Sequence, residues 1–385
     1  MTIRIITTTE DLTNYIAAIP LGSYITIDTE FIREKSYYPH LCLVQIASET
    51  EAVIIDPLAP EINLEPLFTL VNNQEILKVF HAARQDIEIF YLLSGQMPQA
   101  IYDTQIAAMV CGYGESAGYD TLVKNITGRS IDKSSRFSNW AHRPLTQKQL
   151  EYALSDVTHL RDVFEALAEQ LEEKNRTRWI HEELAVLTDP QTYQVDPIRQ
   201  LVKLRLRSSK KQDLARGLVL INWREERARL ANKPRNTIIH DELIAELATN
   251  PPQSVQDMKK IRGIRDRFLD ETLAEELISI LRTASTKDLE GYPQPESSSN
   301  GSQVDPLALE FLRLLLKFIS HKENVAERLI ASTKDLTSLI RHGSKATVPC
   351  LQGWRLDIFG KVALDVLEER VGISLRDGHM VIDNL

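Results

Sequence analysis

Ile25-Thr26-Ile27-Asp28-Thr29-Glu30-Phe31 closes an apolar, β-branched run with two carboxylates two residues apart. In a strand that spacing sends both side chains to the same side. No cationic residue stands beside them in the run. Two like charges at the end of an apolar strand repel unless a divalent cation lies between them, so the pair suits a hard metal with oxygen ligands. An isolated Asp-x-Glu suits a solvated strand end equally well, and the rest of the chain decides between the two.

Around this run, strand patterns occupy residues 24–29, 41–47, 52–56 and 76–80. The first three are joined by connections too short for parallel crossovers, which predicts an antiparallel meander. Helical spacing follows over 84–93 and 104–109, and Thr146 opens a longer helix toward Leu171. Three meandering strands followed by βα units is the order of an α/β, ribonuclease H-like fold with a mixed sheet. After about residue 190 the strand signal ends, and 201–230 and 241–248 read as helices, the latter stopped by Asn250-Pro251-Pro252. Residues 291–305, GYPQPESSSNGSQVD, have linker composition. A very apolar helix begins near Pro306. The expected domains are thus 1–190, 196–284 and 306–385, with a linker over 285–305. The hexapeptide ASTKDL, present at Ala284 and Ala331, has different surroundings in the two places and is read as chance.

Two further acidic positions accompany the first pair. Asp86 lies in VFHAARQD, where a strand gives way to a helix, and on its own would only compensate a helix dipole. Tyr152 and Asp156, in YALSD, are one helical turn apart on one face. Asp28, Glu30, Asp86 and Asp156 together supply the four carboxylates of a two-metal phosphodiesterase. No Cys cluster or H-x-x-x-H accompanies them, which disfavours zinc.

The segments IDTEFIREKSYYPHLCLVQIA (27–47), VFHAARQDIEIF (79–90) and YALSDVTHL (152–160) resemble, in order and spacing, the three motifs of the DEDD superfamily of 3′→5′ exonucleases. The position five before the last Asp is Glu151, while Tyr152 lies four before it, which selects the tyrosine-type branch over the histidine-type. The chain as a whole is similar to the ribonuclease D family. That resemblance implies two divalent ions, Mg²⁺ or Mn²⁺, with Asp28 bridging them, Glu30 and Asp156 completing one site, Asp86 holding the second ion, and Tyr152 orienting the attacking water. His159 is out of register for a general base. His81 either positions a substrate phosphate or closes a strand end, and Asp103-Thr104 reads as a helix cap. Lys124, Arg129, Lys133 and Arg136 suit either a phosphate grip or a solvated loop face.

The chain carries a net charge of −9, yet residues 196–270 hold 17 Lys and Arg against 10 Asp and Glu. Within this basic stretch, residues 214–264 resemble the HRDC module shared by RecQ-type helicases and the ribonuclease D family. Arg227, Arg229, Lys233, Arg235, Lys260 and Arg262 are its candidate phosphate contacts, and Trp223 is expected in its core. Residues 306–385 are similar to the divergent C-terminal HRDC-like repeat of that family, so two all-α HRDC-like domains are expected. The implied substrate is RNA, above all transfer RNA precursors and other small structured RNAs, hydrolysed to nucleoside 5′-monophosphates. A DNA proofreading or repair exonuclease is the alternative, because the metal site alone does not separate RNA from DNA; a non-catalytic RNA-binding protein is disfavoured by the complete set of acids. No run approaches the roughly 20 apolar residues of a membrane span. Cys42, Cys111 and Cys350 form no metal or disulfide pattern. The expectation is a cytoplasmic enzyme with no membrane partner and no organic cofactor, its oligomeric state open with a monomer favoured.

Overall fold

Short strands rich in Ile, Val and Thr build a mixed sheet in the computed structural model, which describes residues 3–261, 264, 271–289, 292 and 304–384. Its strands are β1 (Arg4–Ile6), β2 (Tyr24–Ile32), β3 (His40–Ala47), β4 (Ala52–Ile55), β5 (Leu77–Phe80) and β6 (Ile101–Asp103). They lie in the order β1-β4-β3-β2-β5-β6. The expected antiparallel step is present between β3 and β4, while β1–β4, β2–β5 and β5–β6 are parallel. The edge strands β1 and β6 escape a sequence reading because three residues are too few to show alternation. In the centre, Ile25, Thr26 and Ile27 are all fully buried, as befits a strand covered on both faces. The Asp28–Glu30 pair therefore sits just where β2 leaves the core.

The helix Gln147–Glu173 begins with a capping box between Thr146 and Gln149 and buries Leu150, Ala153, Val157, Leu160, Val163, Leu167 and Leu171. That stripe of three- and four-residue steps packs the helix on the sheet. Tyr152 and Asp156 each precede a buried position by one residue, at the edge of the packed face.

The chain forms two compact units. One comprises Met1–Glu30, Leu41–Thr192 and Ser302–Leu385; the other comprises Phe31–His40 and Tyr193–Gly301. In the first unit the C-terminal segment shares one apolar core with the helices of the α/β portion, joining Met109, Leu167 and Ile180 to Leu312, Leu315, Ile319 and Phe359. Trp179 stacks on Trp354 at 4.3 Å between ring centroids and 4° between planes. Arg355 donates to the Leu329 carbonyl (2.6 Å) and pairs with Glu182 and Glu183. Gly112, at φ +92°, lies so close to Asn324 that a Cβ there would overlap its side chain. The Asn324 amide in turn donates to the Cys111 carbonyl at 3.0 Å.

The expectation of an all-helical C-terminal region needs correction. Val371–Arg376 (β7) and His379–Asn384 (β8) pair as an antiparallel hairpin. Its two-residue turn, Asp377-Gly378, has φ +50° and +78°, the left-handed pair that a tight hairpin demands. The second unit is helical, with Pro197–Leu204, Lys211–Leu230, Asp241–Thr249 and Glu271–Thr283 around a core that includes Trp223. Residues 201–230, expected as one helical stretch, are broken at Arg205, whose left-handed backbone (φ +48°) caps the first helix. Within the expected linker, Thr286–Leu289 is a 3₁₀ turn with Leu289 buried in this core; residues 293–303 lie outside the described ones. No helix among the described residues is long and apolar enough to cross a membrane.

A shared core predicts shared unfolding. Trp354→Ala should destabilise the first unit by about 3 to 5 kcal/mol, the scale of an aromatic deletion in a core. In thermal melts, loss of helical and of β-sheet signal should shift down together. An early, separate transition that leaves the β-sheet melt unmoved would show that the C-terminal segment is not part of the sheet's core.

Candidate active site

Asp28 and Glu30 project from the second half of β2, on the side where Thr26, two residues before Asp28, donates to the Val157 carbonyl of the long helix at 2.8 Å. That bond ties the strand to the helix beside Asp156. The result is a cluster: one carboxylate oxygen each from Asp28, Glu30 and Asp156 lies within 4.8 Å of the other two. Asp86 stands outside that group but within electrostatic reach. Its buried side chain accepts a hydrogen bond from the Thr29 hydroxyl at 2.5 Å.

The turn that delivers Asp86 is shaped by Asp103. This carboxylate accepts the amides of Ala82 (3.0 Å), Ala83 (2.9 Å) and Gln105 (2.8 Å), capping the helix Thr104–Cys111 and holding the turn before the helix Arg84–Ser94. Ala82 has φ +61°, a left-handed backbone that such a carboxylate brace stabilises. His81 is held by the Thr104 hydroxyl at 3.0 Å and lies 5.5 Å, centroid to centroid, from the Tyr119 ring. Burial lowers its pKa.

By themselves the acids are electrostatically unfavourable. Burial pushes the Asp28 carboxyl up to about 7. Burial and then the charges of Asp28, Asp156 and Asp86 push Glu30 up to about 10. Asp86 and Asp156 are both raised well above the usual carboxylate range, first by burial and then by Asp28. An all-oxygen donor set of crowded, desolvated carboxylates is what a divalent ion with hard-ligand preference requires, so the residues present fit such ions. Tyr152 donates to Asp156, and burial followed by the Asp156 charge raises the phenol far above its ordinary value.

Several neighbours carry no motif in the sequence. The Tyr119 hydroxyl donates to the Ser155 carbonyl at 2.9 Å, bracing the helix between Tyr152 and Asp156. Arg143 forms a two-bond salt bridge with Asp56 (2.7 Å each) and also donates to the Cys42 carbonyl, pinning the loop before the long helix to the sheet. On that loop Trp140 lies 6.1 Å from the Tyr152 ring. Arg136 is close enough to oppose the raised pKa values of Glu30 and Asp156. Beside it Phe137 is 92% exposed. Lys133 and Arg129 are paired with Asp120 and Asp162. His159 joins Tyr152 and Ser155 in lining a small cavity and contacts Arg129, but it is not in the acidic group.

The candidate phosphate contacts of the second unit are mostly engaged. Arg227 pairs with Glu276, Arg229 and Arg235 pair with Glu225, and Lys260 pairs with Asp257. Arg229 and Arg235 also donate to the Tyr37 hydroxyl, at 3.2 and 3.4 Å. Lys233 is exposed, and Arg262 lies outside the described residues.

The chain matches the 3′-5′ exonuclease family over residues 3–172 and the HRDC domain family over residues 214–281. It is 42% identical over 378 residues to ribonuclease D of Granulibacter bethesdensis, covering 98% of this chain and 95% of the relative. To ribonuclease D of Bartonella henselae it is 40% identical over 375 residues, covering 97% and 92%. The crystal structure of Escherichia coli RNase D, an exoribonuclease involved in structured RNA processing, aligns at a TM-score of 0.79 and 27% identity, covering 96% of this chain and 99% of that one. With a crowded carboxylate cluster on the central strand and near full-length relatives of one kind, the chain belongs to the ribonuclease D family of 3′→5′ exoribonucleases.

Proposed function

We propose that the chain trims transfer RNA precursors and other small structured RNAs from the 3′ end, releasing nucleoside 5′-monophosphates, with Asp28, Glu30, Asp86 and Asp156 holding two Mg²⁺ or Mn²⁺ ions. The observation that carries this reading is the crowding of Asp28, Glu30 and Asp156 within 4.8 Å, with Asp86 in reach of the Asp28 charge. Bound divalent ions supply Lewis acidity to the attacking water and to the departing 3′ oxygen. Asp28, whose charge raises Glu30, Asp86 and Asp156 alike, would hold the ions together with those three carboxylates.

Tyr152 orients the water. Its phenol, kept protonated by burial and by Asp156, is no base; it donates to Asp156 and offers its oxygen lone pairs to the incoming water. Thr29 fixes the carboxylate of Asp86, and Thr26 and Tyr119 fix the helix that carries Tyr152 and Asp156. The helical unit with the HRDC match holds the substrate, since a cleft lined with acids repels the remainder of a polyanion. Residues 306–370 are read as a divergent HRDC-like unit recruited to brace the nuclease core. Three free, buried cysteines suit a reducing cytoplasm.

Asp28→Asn, Glu30→Gln, Asp86→Asn and Asp156→Asn should each lower turnover by at least about 10²-fold, the scale of removing one preorganised electrostatic contact. In chelator-containing buffer at neutral pH the same variants should melt higher than the parent, because each removes an acid that burial and crowding hold above its ordinary range, which costs stability at any pH above the unfolded value. Mg²⁺ should raise the parent's melting temperature more than theirs. Two amides that keep parental rates would sink the two-ion assignment. Tyr152→Phe preserves packing and removes one hydroxyl, so kcat should fall on the order of 10² with little change in KM. An unchanged kcat would leave Tyr152 a packing residue.

A further inference from the structure

Among the described residues of the helical unit, one set of basic side chains is paired and a second set is clustered without partners. Arg216, Arg224, Arg227, Arg229, Arg235 and Lys260 all have carboxylate partners within the unit. A cation already paired in this way gives up its partner before it gains by neutralising a phosphate. The second set is different. Lys203, Arg205, Arg207, Lys210 and Lys211 are all exposed, and residues 197–212 contain no acidic residue. None of the five has an ion pair among the described residues.

These five cations are presented by a segment that the fold holds in place. Burial alternates along it: Leu204 and Leu206 pack on the core of the unit, while Lys203, Arg205 and Arg207 face solvent. Leu206 seats against Gly217 of the following helix, where a Cβ would come within 3.1 Å of its Cδ1. Ser208 donates to Asp213 at 2.5 Å and accepts the Lys210 amide at 3.2 Å, so the loop is tied to the helix Lys211–Leu230. Asp213 is turned inward, buried and paired with Arg216, which leaves the outer surface without a counter-charge. The free amides of that helix's first turn add partial positive charge at the same place.

We propose that Lys203, Arg205, Arg207, Lys210 and Lys211 form the surface on which the helical unit takes the phosphodiester backbone of its RNA substrate. This rests on the reading that the unit holds substrate, and it moves the docking surface from the paired arginines of the helix Lys211–Leu230 to the loop before it. The chemistry is that of a polyanion without sequence readout. Residues 203–211 carry no aromatic side chain to stack on a base, and their two leucines pack on the core of the unit, which leaves charge as the means of contact.

The test uses the full-length chain with all five residues changed to Gln. Binding of a labelled precursor transfer RNA transcript is titrated over a range of KCl concentrations, with Asp28→Asn present in every protein to prevent turnover. The five-residue variant should bind at least tenfold more weakly at low salt. The slope of log K against log[KCl] should flatten by up to about 3.5 to 4.5, at roughly 0.7 to 0.9 for each phosphate no longer neutralised. Without Asp28→Asn, hydrolysis of a short single-stranded oligoribonucleotide should be unchanged, and a charge-preserving exchange of Lys for Arg and Arg for Lys at the five positions should bind like the parent. Parental affinity and slope in the Gln variant, or weak binding by the charge-preserving one, overturns the proposal. Arg227→Gln with Lys260→Gln separates the two levels of the argument. If that pair flattens the slope and the five-residue change does not, the unit holds RNA by another face; if neither does, the substrate-holding role of the unit falls as well.

Discussion

The burial of crowded carboxylates is the constraint that the first unit is organised around. Asp28, Glu30 and Asp156 come from the middle of a sheet and from a long helix, and their burial together holds each above the usual carboxylate range at a cost in stability. What opposes this is a set of hydrogen bonds from uncharged donors, made within one or two residues of the acids. Thr26 grips the Val157 carbonyl, Tyr119 the Ser155 carbonyl and Thr29 the Asp86 carboxylate. Each secures position without neutralising charge, so the field of the acids stays available for divalent cations. A lysine or arginine pairing with the acids would have made the fold more comfortable and the site useless.

The distribution of charge also distinguishes the two units. The nuclease portion keeps its negative field concentrated, and its nearby cations Lys133 and Arg129 are paired with Asp120 and Asp162 rather than with the cluster. Among the described residues, the helical unit engages most of its arginines in internal pairs, notably the knot in which Glu225 receives Arg229, Arg235 and Tyr37. Tyr37 belongs to the short segment Phe31–His40, which follows Glu30 in sequence yet is built into the helical unit. The segment is held specifically, since the amides of Tyr37 and Tyr38 both donate to Asn232 at 3.1 Å. Over Lys203–Lys211, by contrast, a run of exposed cations has no acids beside it.

The C-terminal segment is part of the nuclease core rather than an appendage. Stacked Trp179 and Trp354, the pairing of Arg355 with Glu182 and Glu183 and the close approach of Gly112 to Asn324 cross from the exonuclease helices to residues 312–363. Cutting the chain near residue 195 would therefore expose a large apolar face.

The chemistry of the site and the class of the fold are legible in the chain alone. Asp28 and Glu30 share a side because strand geometry has a period of two, and Tyr152 and Asp156 share one because a helix repeats near four; such local rules need no tertiary information. The β3–β4 antiparallel step follows from connection length. The hairpin at Asp377-Gly378 is also written in the local sequence, as alternating Val371, Ile373 and Leu375 before a turn dipeptide, although the family resemblance favours helices there. What depends on residues far apart in the chain emerges only on folding. Tyr119 reaches Ser155, and Arg143 reaches Asp56, across separations that carry no sequence pattern. The largest difference concerns the arginines of the helical unit. A count of charges weighs Arg227 and Arg207 equally, but electrostatic availability is set by what lies opposite: Glu276 meets the first, and the second faces solvent.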